Sequence, residues 1–115
     1  MPQPKRIPGS ISPRAREVML EFLERAGSRE AVICLMKGRA TDETGRPGDE
    51  MWTFGTYEPE NIRSLETDFA EMGHSLLYEL DEMIIAIPQF HLLDEIIDKE
   101  MIWNERHLVF QDYSD

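Results

Sequence analysis

Apolar residues recur at helical spacing near the N-terminus and predict a helix over residues 12–27. Ser12 suits the N-cap, Pro13 the first helical position, and Gly27 the left-handed residue after the end. The apolar positions, which we expect to form one buried face, are Ala15, Val18, Met19, Phe22, Leu23 and Ala26. The preceding residues 1–11 hold three prolines and no periodicity, which predicts a flexible N-terminal arm.

Two strands are predicted next. AVICLM at 31–36 is short, apolar and followed by Lys37 and Gly38, which is typical of a strand buried on both faces. MWTFGTY at 51–57 alternates in polarity and suits a partner strand. A loop is expected between them at 39–49, and the acidic pair at its end, Asp49 and Glu50, is expected to act as turn residues.

The second half predicts further short elements. A helix follows Pro59 and ends at Gly73, and two strands at 74–80 and 83–88 flank a tight turn. Residues 90–103 fit either one helix or a helical turn followed by a strand, and LVF at 108–110 fits a last strand. The order predicts one α+β domain over residues 12–115, dominated by antiparallel sheet.

Charge is divided unevenly along the chain. Residues 1–48 carry a net charge of +3 and residues 49–115 carry −14, within a total of −11. A surface of that sign repels phosphate backbones and attracts cations or basic proteins, so we expect no direct nucleic-acid binding. No apolar run reaches the roughly 20 residues that cross a bilayer, so we expect no membrane span. A single cysteine fits a reducing cytoplasm.

Few residues suggest chemistry. Cys34 lies inside an apolar run, where a cysteine behaves as a small hydrophobic residue. His91, Asp94 and Glu95 would share a helix face and are candidate metal ligands, although the same spacing fits a solvated face. The chain has no phosphate-binding glycine loop, nucleophile elbow, HExxH motif or cysteine pair. We therefore expect no enzyme and assign no catalytic residue.

Three stretches are similar to the A-type iron–sulfur carrier, or HesB-like, family. ISPRAREVMLEFLERAG is similar to that family's opening helix, and the strand ending in MKG resembles the family's strand ending in Val-Lys-Gly. DEMIIAIPQFHLLDEIID followed by HLVF resembles the family's hairpin turn, apolar strand, Leu-Asp turn and closing strand. The resemblance spans about residues 11–110. It implies antiparallel β-sheets in a HesB-like sandwich or half-barrel, with an N-terminal helix and short additional helices.

The cluster-binding thiolates of that family are missing from this chain. Members that carry a cluster have one cysteine a few residues after the Lys-Gly strand end and a Cys-x-Cys near the C-terminus, because thiolates hold iron strongly. Thr41 stands at the first of these positions, and QDYSD at 111–115 has no cysteine. The resemblance therefore implies a degenerate member that holds no cluster, and we expect no cofactor.

These observations predict a cytoplasmic, non-catalytic binding or adaptor protein with a protein partner of basic character. The alternative is an acidic immunity or inhibitor-type protein that masks a basic site on a toxin or nucleic-acid enzyme. A small metal-dependent enzyme is a third hypothesis. The side chains expected at a partner surface are Trp103, Asp81, Glu82, Asp98 and Glu100.

Overall fold

The computed structural model describes residues 4–26, 30–41 and 43–112, which form eight strands, two α-helices and one 3₁₀ helix. In chain order the elements are β1 (Lys5–Ile7), β2 (Ser10–Ile11), α1 (Pro13–Arg25), β3 (Val32–Thr41), β4 (Pro47–Tyr57), α2 (Pro59–Glu71), β5 (Leu77–Leu80), β6 (Met83–Ala86), the 3₁₀ helix (Phe90–Glu95), β7 (Lys99–Asn104) and β8 (His107–Asp112). The predicted α+β class is confirmed.

All eight strands belong to one mixed sheet with the order β1-β5-β6-β3-β4-β8-β7-β2. The β3–β4, β4–β8, β5–β6 and β7–β8 pairs are antiparallel, and the β1–β5, β2–β7 and β3–β6 pairs are parallel. The expectation of antiparallel sheets is therefore wrong for three of the seven neighbouring pairs. The parallel pairs join strands that lie far apart in the chain, and local turn signals do not reveal such pairings.

The sheet curls until its two edges meet. Its first and last strands, β1 and β2, are separated in the chain by Pro8 and Gly9 alone, and the path from Ile7 to Ser10 spans at most about 11 Å. Asp98 donates its main-chain N–H to the Pro8 carbonyl oxygen at 3.0 Å. This contact holds the junction against the segment that leads into β7.

The N-terminal segment is part of the sheet. Ile7 and Ile11 are 5% and 6% exposed and belong to the main core. The predicted flexible arm at 1–11 is therefore wrong over residues 4–11, while residues 1–3 lie outside the described residues. Prolines misled the prediction because they flank β1, where no ladder hydrogen bond is required of them.

Helix α1 packs against β3, β4 and β7. Ser12 accepts a hydrogen bond at its Oγ from the Ala15 N–H at 3.2 Å, so the predicted N-cap is confirmed. The predicted C-terminal glycine lies outside the described residues. Val18 and Met19 are buried as predicted, but Phe22 stays 44% exposed. Its ring packs edge to face against that of Phe54, with the ring centroids 4.9 Å apart.

Helix α2 covers the opposite face of β3. Successive strand residues point to opposite faces, so Cys34 leaves the main core that Ile33 and Leu35 enter. It packs instead with Ile62 and Phe69 of α2. The predicted helix after Pro59 is confirmed.

The remaining predictions differ from the structure mainly in length. Strand β3 extends to Thr41 and β4 begins at Pro47, so the predicted 39–49 loop is wrong over residues 39–41 and 47–49. The hairpin around Asp81 and Glu82 is present, and both turn residues have positive φ values of 48° and 70°. Residues 90–103 form the 3₁₀ helix and then β7, which is the second of the two alternatives.

Candidate functional site

An opening in the sheet separates the first half of β4 from β8. Strands β3 and β4 are paired along most of their length, whereas β4 and β8 share the single pair Trp52–Leu108. A cavity of about 570 Å³ lies where β4 and β8 part. Its lining residues are Lys37, Asp49, Glu50, Met51, Trp52, Glu95, Lys99, His107, Leu108, Val109 and Phe110.

Main-chain groups of both strands point into this opening. The Lys37 N–H donates to Gln89 Oε1 at 2.6 Å, and Gln89 Nε2 donates to the Lys37 carbonyl oxygen at 3.0 Å, so the Lys37 peptide groups face away from β4. Trp52 is the cross-strand partner of Lys37, so the Trp52 N–H and carbonyl groups point away from β3 and toward β8. Peptide groups alternate in direction along a strand, so the same direction recurs every two residues. The peptide groups of Glu50 and Phe110 therefore face each other across the opening, where the described residues form no β4–β8 ladder pair.

A charged group crosses the inner side of the opening. Lys37 Nζ lies 2.5 Å from Glu95 Oε1, and Trp52 Nε1 donates to the same oxygen at 3.3 Å. The hydrogen bond from Lys37 lowers the pKa of Glu95, and the bond from Trp52 and the positive charge of Lys37 act in the same direction. The Trp52 ring meets that of Phe110 edge to face at 5.5 Å. The carboxylate is thus held ionised against an aromatic wall.

The rim of the opening is acidic and apolar. Asp49, Glu50 and Met51 are exposed, and Glu50 has only long ion pairs, at 3.6 Å to Arg39 Nε and 3.9 Å to Lys37 Nζ. Thioether side chains adapt their shape to a contacting surface. Negative charge, an adaptable apolar side chain and unpaired peptide groups are therefore present at one strand edge.

The outer face of the same hairpin carries a second depression of about 480 Å³. Met36 and Met51, which are 40% and 39% exposed, border it together with Arg39, Arg106 and His107. The exposed apolar surface thus continues from the edge of β4 onto the outer face of the sheet.

The candidate metal ligands lie on the 3₁₀ helix. Three residues per turn place His91 and Asp94 on one side and direct Glu95 elsewhere, toward Lys37. Among residues 4–26, 30–41 and 43–112, no group of three or more His, Cys, Asp or Glu side chains could hold a metal ion. The structure does not bring the three candidates together.

Neither Cys34 nor Thr41, the two positions considered for thiolate chemistry, forms a metal-binding site within the part of the chain that the structure describes. Cys34 is fully buried, and burial raises the pKa of its thiol while a hydrogen bond with Tyr57 lowers it by less. Thr41 is exposed at the end of β3, opposite Pro47. The cysteine is a core residue, as its apolar run predicted, and the threonine stands on a solvated hairpin.

Asp81, expected at a partner surface, is held by internal contacts. Its Oδ2 accepts the Ile11 N–H at 2.9 Å and lies 2.9 Å from Arg16, which also donates to the Asp81 carbonyl oxygen at 2.6 Å. These bonds link the β5–β6 turn to β2 and α1. Asp81 therefore has a structural role that the sequence did not predict.

The other predicted surface residues are spread over the β5–β6 turn, the residue before β7 and β7 itself. Glu82 and Asp98 are exposed, and Glu100 is half-buried. Trp103 is half-buried because its ring packs edge to face on Phe54 at 5.4 Å. They do not form one cluster with the opening, and their role at a partner surface stays a prediction.

Sequence reasoning missed the residues that build the opening. It placed Trp52, which is 5% exposed, on a strand without linking it to Glu95, and it treated Asp49 and Glu50 as turn residues although they lie in β4. Gln89, which occupies the edge of β3, carried no sequence signal. Only the parting of β4 from β8 gives these residues a common location.

Comparison with protein-family models, with curated proteins and with solved structures finds no match. Within the described residues, neither thirteen-residue α-helix is long and apolar enough to cross a bilayer.

Proposed function

We propose that this chain is a non-catalytic protein that acts by binding another protein of basic character. The observation that carries the proposal is the opening between β4 and β8, where unpaired peptide groups, exposed Met51 and two exposed carboxylates lie together. Exposed apolar surface beside charge is typical of protein–protein contact sites. The net charge of −14 over residues 49–115 favours a basic partner.

The electrostatics of the opening support binding over catalysis. A general acid or base at neutral pH needs a carboxyl group with a raised pKa or an amine with a lowered one. The pKa of Glu95 is lowered, because Lys37 donates to it. The pair therefore links the middle of β3 to the end of the 3₁₀ helix without creating a proton donor.

We further propose that the fold is a degenerate form of the HesB-like architecture, in a cytoplasmic protein that holds no iron–sulfur cluster. Strand β3, which contains the MKG residues 36–38, the β5–β6 hairpin and the closing β8 follow the order that the resemblance implies. The single thiol, Cys34, is buried away from solvent. Anaerobic reconstitution with iron and sulfide should leave the protein colourless, and stable visible absorption bands that scale with protein would contradict this proposal.

The test of the binding function uses two matched triple variants as bait. D49N/E50Q/M51S removes two exposed carboxylates and an exposed methionine from the opening, and D68N/E71Q/M72S removes the same three groups from the end of α2. Affinity capture, followed by titration of the purified partner, should show saturable binding to the unaltered chain that weakens as salt rises. We expect at least tenfold weaker binding for the first variant and little change for the second. Capture that yields no saturable partner for the unaltered chain would refute the proposal.

The second candidate function is an acidic inhibitor that masks a basic site through α2. The exposed face of that helix favours it, since Glu60, Asp68 and Glu71 are all exposed. This candidate predicts the reverse result, namely loss of the partner with D68N/E71Q/M72S and retention with D49N/E50Q/M51S. Inhibition of the captured enzyme by the unaltered chain would add direct support.

A further inference from the structure

We infer that the opening accepts a short, extended, basic segment of the partner as an added β-strand along the edge of β4. This inference rests on the proposed binding function and specifies how the partner is held. An exposed strand edge offers alternating donors and acceptors that pair with any extended peptide, and side chains beside the edge select the sequence.

The length of the free edge sets the size of the segment. Strand β4 begins at Pro47, and its first pair with β8 is at Trp52. By the alternation described above, Glu50 directs its peptide groups away from β3, and a register shift between Arg39 and Thr41 ends the regular pairing just beyond it. Glu50 therefore offers one N–H and one carbonyl oxygen, which suit a short extended segment of about three residues, since a strand advances about 3.3 Å per residue.

The other edge of the same hairpin is closed, which makes the β4 edge distinctive. Gln89 forms two hydrogen bonds with the Lys37 peptide groups and so imitates a neighbouring strand on β3. No described side chain hydrogen-bonds in this way to the Glu50 peptide groups. Pro47 and the register shift limit how far an added strand can extend, and the carboxylates of Asp49 and Glu50 repel acidic segments while leaving the edge open to basic ones.

The two faces of the edge determine the chemistry of the occupant. Glu50 shares the inner face with Trp52, whereas Met51 lies on the outer face. A segment that alternates lysine or arginine with apolar residues would place its cations on the inner face near Glu50 and its apolar groups on the outer face near Met51. Desolvation on pairing strengthens such ion pairs relative to exposed ones.

Synthetic peptides test this inference with the full chain. The probe is acetyl-Val-Lys-Val-Lys-Val-Lys-amide, with one control in which glutamate replaces lysine and a second in which every amide is N-methylated. Titration followed by ¹H–¹⁵N spectra should move the amide signals of Glu50 and Phe110. We expect the lysine peptide to bind at least tenfold more tightly than either control, because one control reverses the charge and the other lacks the N–H donors.

Two variants at one position separate the main-chain contact from the side-chain charge. E50Q removes the charge and keeps the N–H, whereas E50P also removes an N–H that β3 does not use. We expect E50P to bind the lysine peptide at least fivefold more weakly than E50Q, with thermal unfolding showing that both variants are folded. If E50P is unfolded, the comparison with the N-methylated peptide still decides the question.

Several outcomes would overturn strand addition. These are equal binding of the N-methylated peptide, equal binding by E50Q and E50P, signal changes confined to α2, and no binding of the lysine peptide at millimolar concentration and low salt. The proposed function is tested separately with the captured partner. If D49N/E50Q/M51S loses this partner, while E50P binds it as well as E50Q does, binding at the opening is supported and the added strand is refuted.

Discussion

The contacts of Asp81 predict that this one side chain stabilises the junction of three elements. Its carboxylate accepts the Ile11 N–H and pairs with Arg16, and its own backbone is left-handed with φ of 48°. Asp81→Ala removes the acceptor, the charge and a residue that tolerates this backbone conformation. Asp81→Asn removes only the charge.

The cost of Asp81→Ala follows from three contributions. The Ile11 N–H, on a residue 6% exposed, loses its acceptor, which costs about 1–3 kcal/mol. The half-exposed ion pair with Arg16 adds up to about 1 kcal/mol. Alanine in the left-handed region adds about 1 kcal/mol. We expect a loss of about 3 kcal/mol in the free energy of unfolding, a large part of the roughly 5–15 kcal/mol of a typical domain.

Equilibrium unfolding in urea, followed by far-ultraviolet circular dichroism, measures this loss. The midpoint should fall while the slope stays unchanged, and Asp81→Asn should lose about 1 kcal/mol because the amide oxygen still accepts. Glu82→Ala is the control, since Glu82 is exposed and has a φ of 70° in the same turn. A loss of stability in Asp81→Ala no larger than that in Glu82→Ala would refute the structural role of the Asp81 carboxylate.

Three further predictions follow from single contacts. Lys37 lowers the pKa of Glu95 below its usual 4.5, so the ion pair stabilises the fold above that pH, and this stabilisation is lost as the pH falls through the lowered pKa. Glu95→Gln should therefore lower the free energy of unfolding at pH 7 but not at pH 2. A loss of equal size at both pH values would contradict the ion pair. Cys34 should react with Ellman's reagent only after unfolding, because it is fully buried and its thiol pKa is raised; stoichiometric reaction within minutes in native buffer would contradict this. Gly9→Ala should cost about 2–4 kcal/mol, because its φ is +143° and a methyl group would meet backbone oxygen at 3.0 Å. Gly45→Ala, where φ is +84° but the space is open, should cost about 1 kcal/mol, and equal losses would refute the crowding at Gly9.

Local signals predicted the elements whose formation depends on neighbouring residues. Ser12 and Pro13 determine where α1 begins, and the alternation around Trp52 and Phe54 matches β4. Capping, turn and periodicity rules act over a few residues, so a single sequence is enough to apply them.

Long-range pairing accounts for what the sequence did not reveal. Ile7 and Ile11 lie in strands of three and two residues, too short for a visible alternation, and they are held by β5 and β7 far along the chain. The candidate site has the same origin, since Glu50 and Phe110 meet only because β4 and β8 are neighbours. Residues that are ordinary in the sequence thus acquire a role from the order of the strands.

The unequal strand lengths explain why an opening exists in this sheet. Strands β3 and β4 have ten and eleven residues, whereas their outer neighbours β6 and β8 have four and six. A long hairpin between shorter strands leaves main-chain edges without ladder partners, and such edges must be closed or protected. Gln89 closes the edge of β3, while Pro47, a register shift and the carboxylates of Asp49 and Glu50 protect that of β4. The carboxylates repel the chain's own acidic surface and other acidic proteins, but they do not exclude a basic segment. The charge asymmetry and the strand lengths therefore favour the same kind of partner.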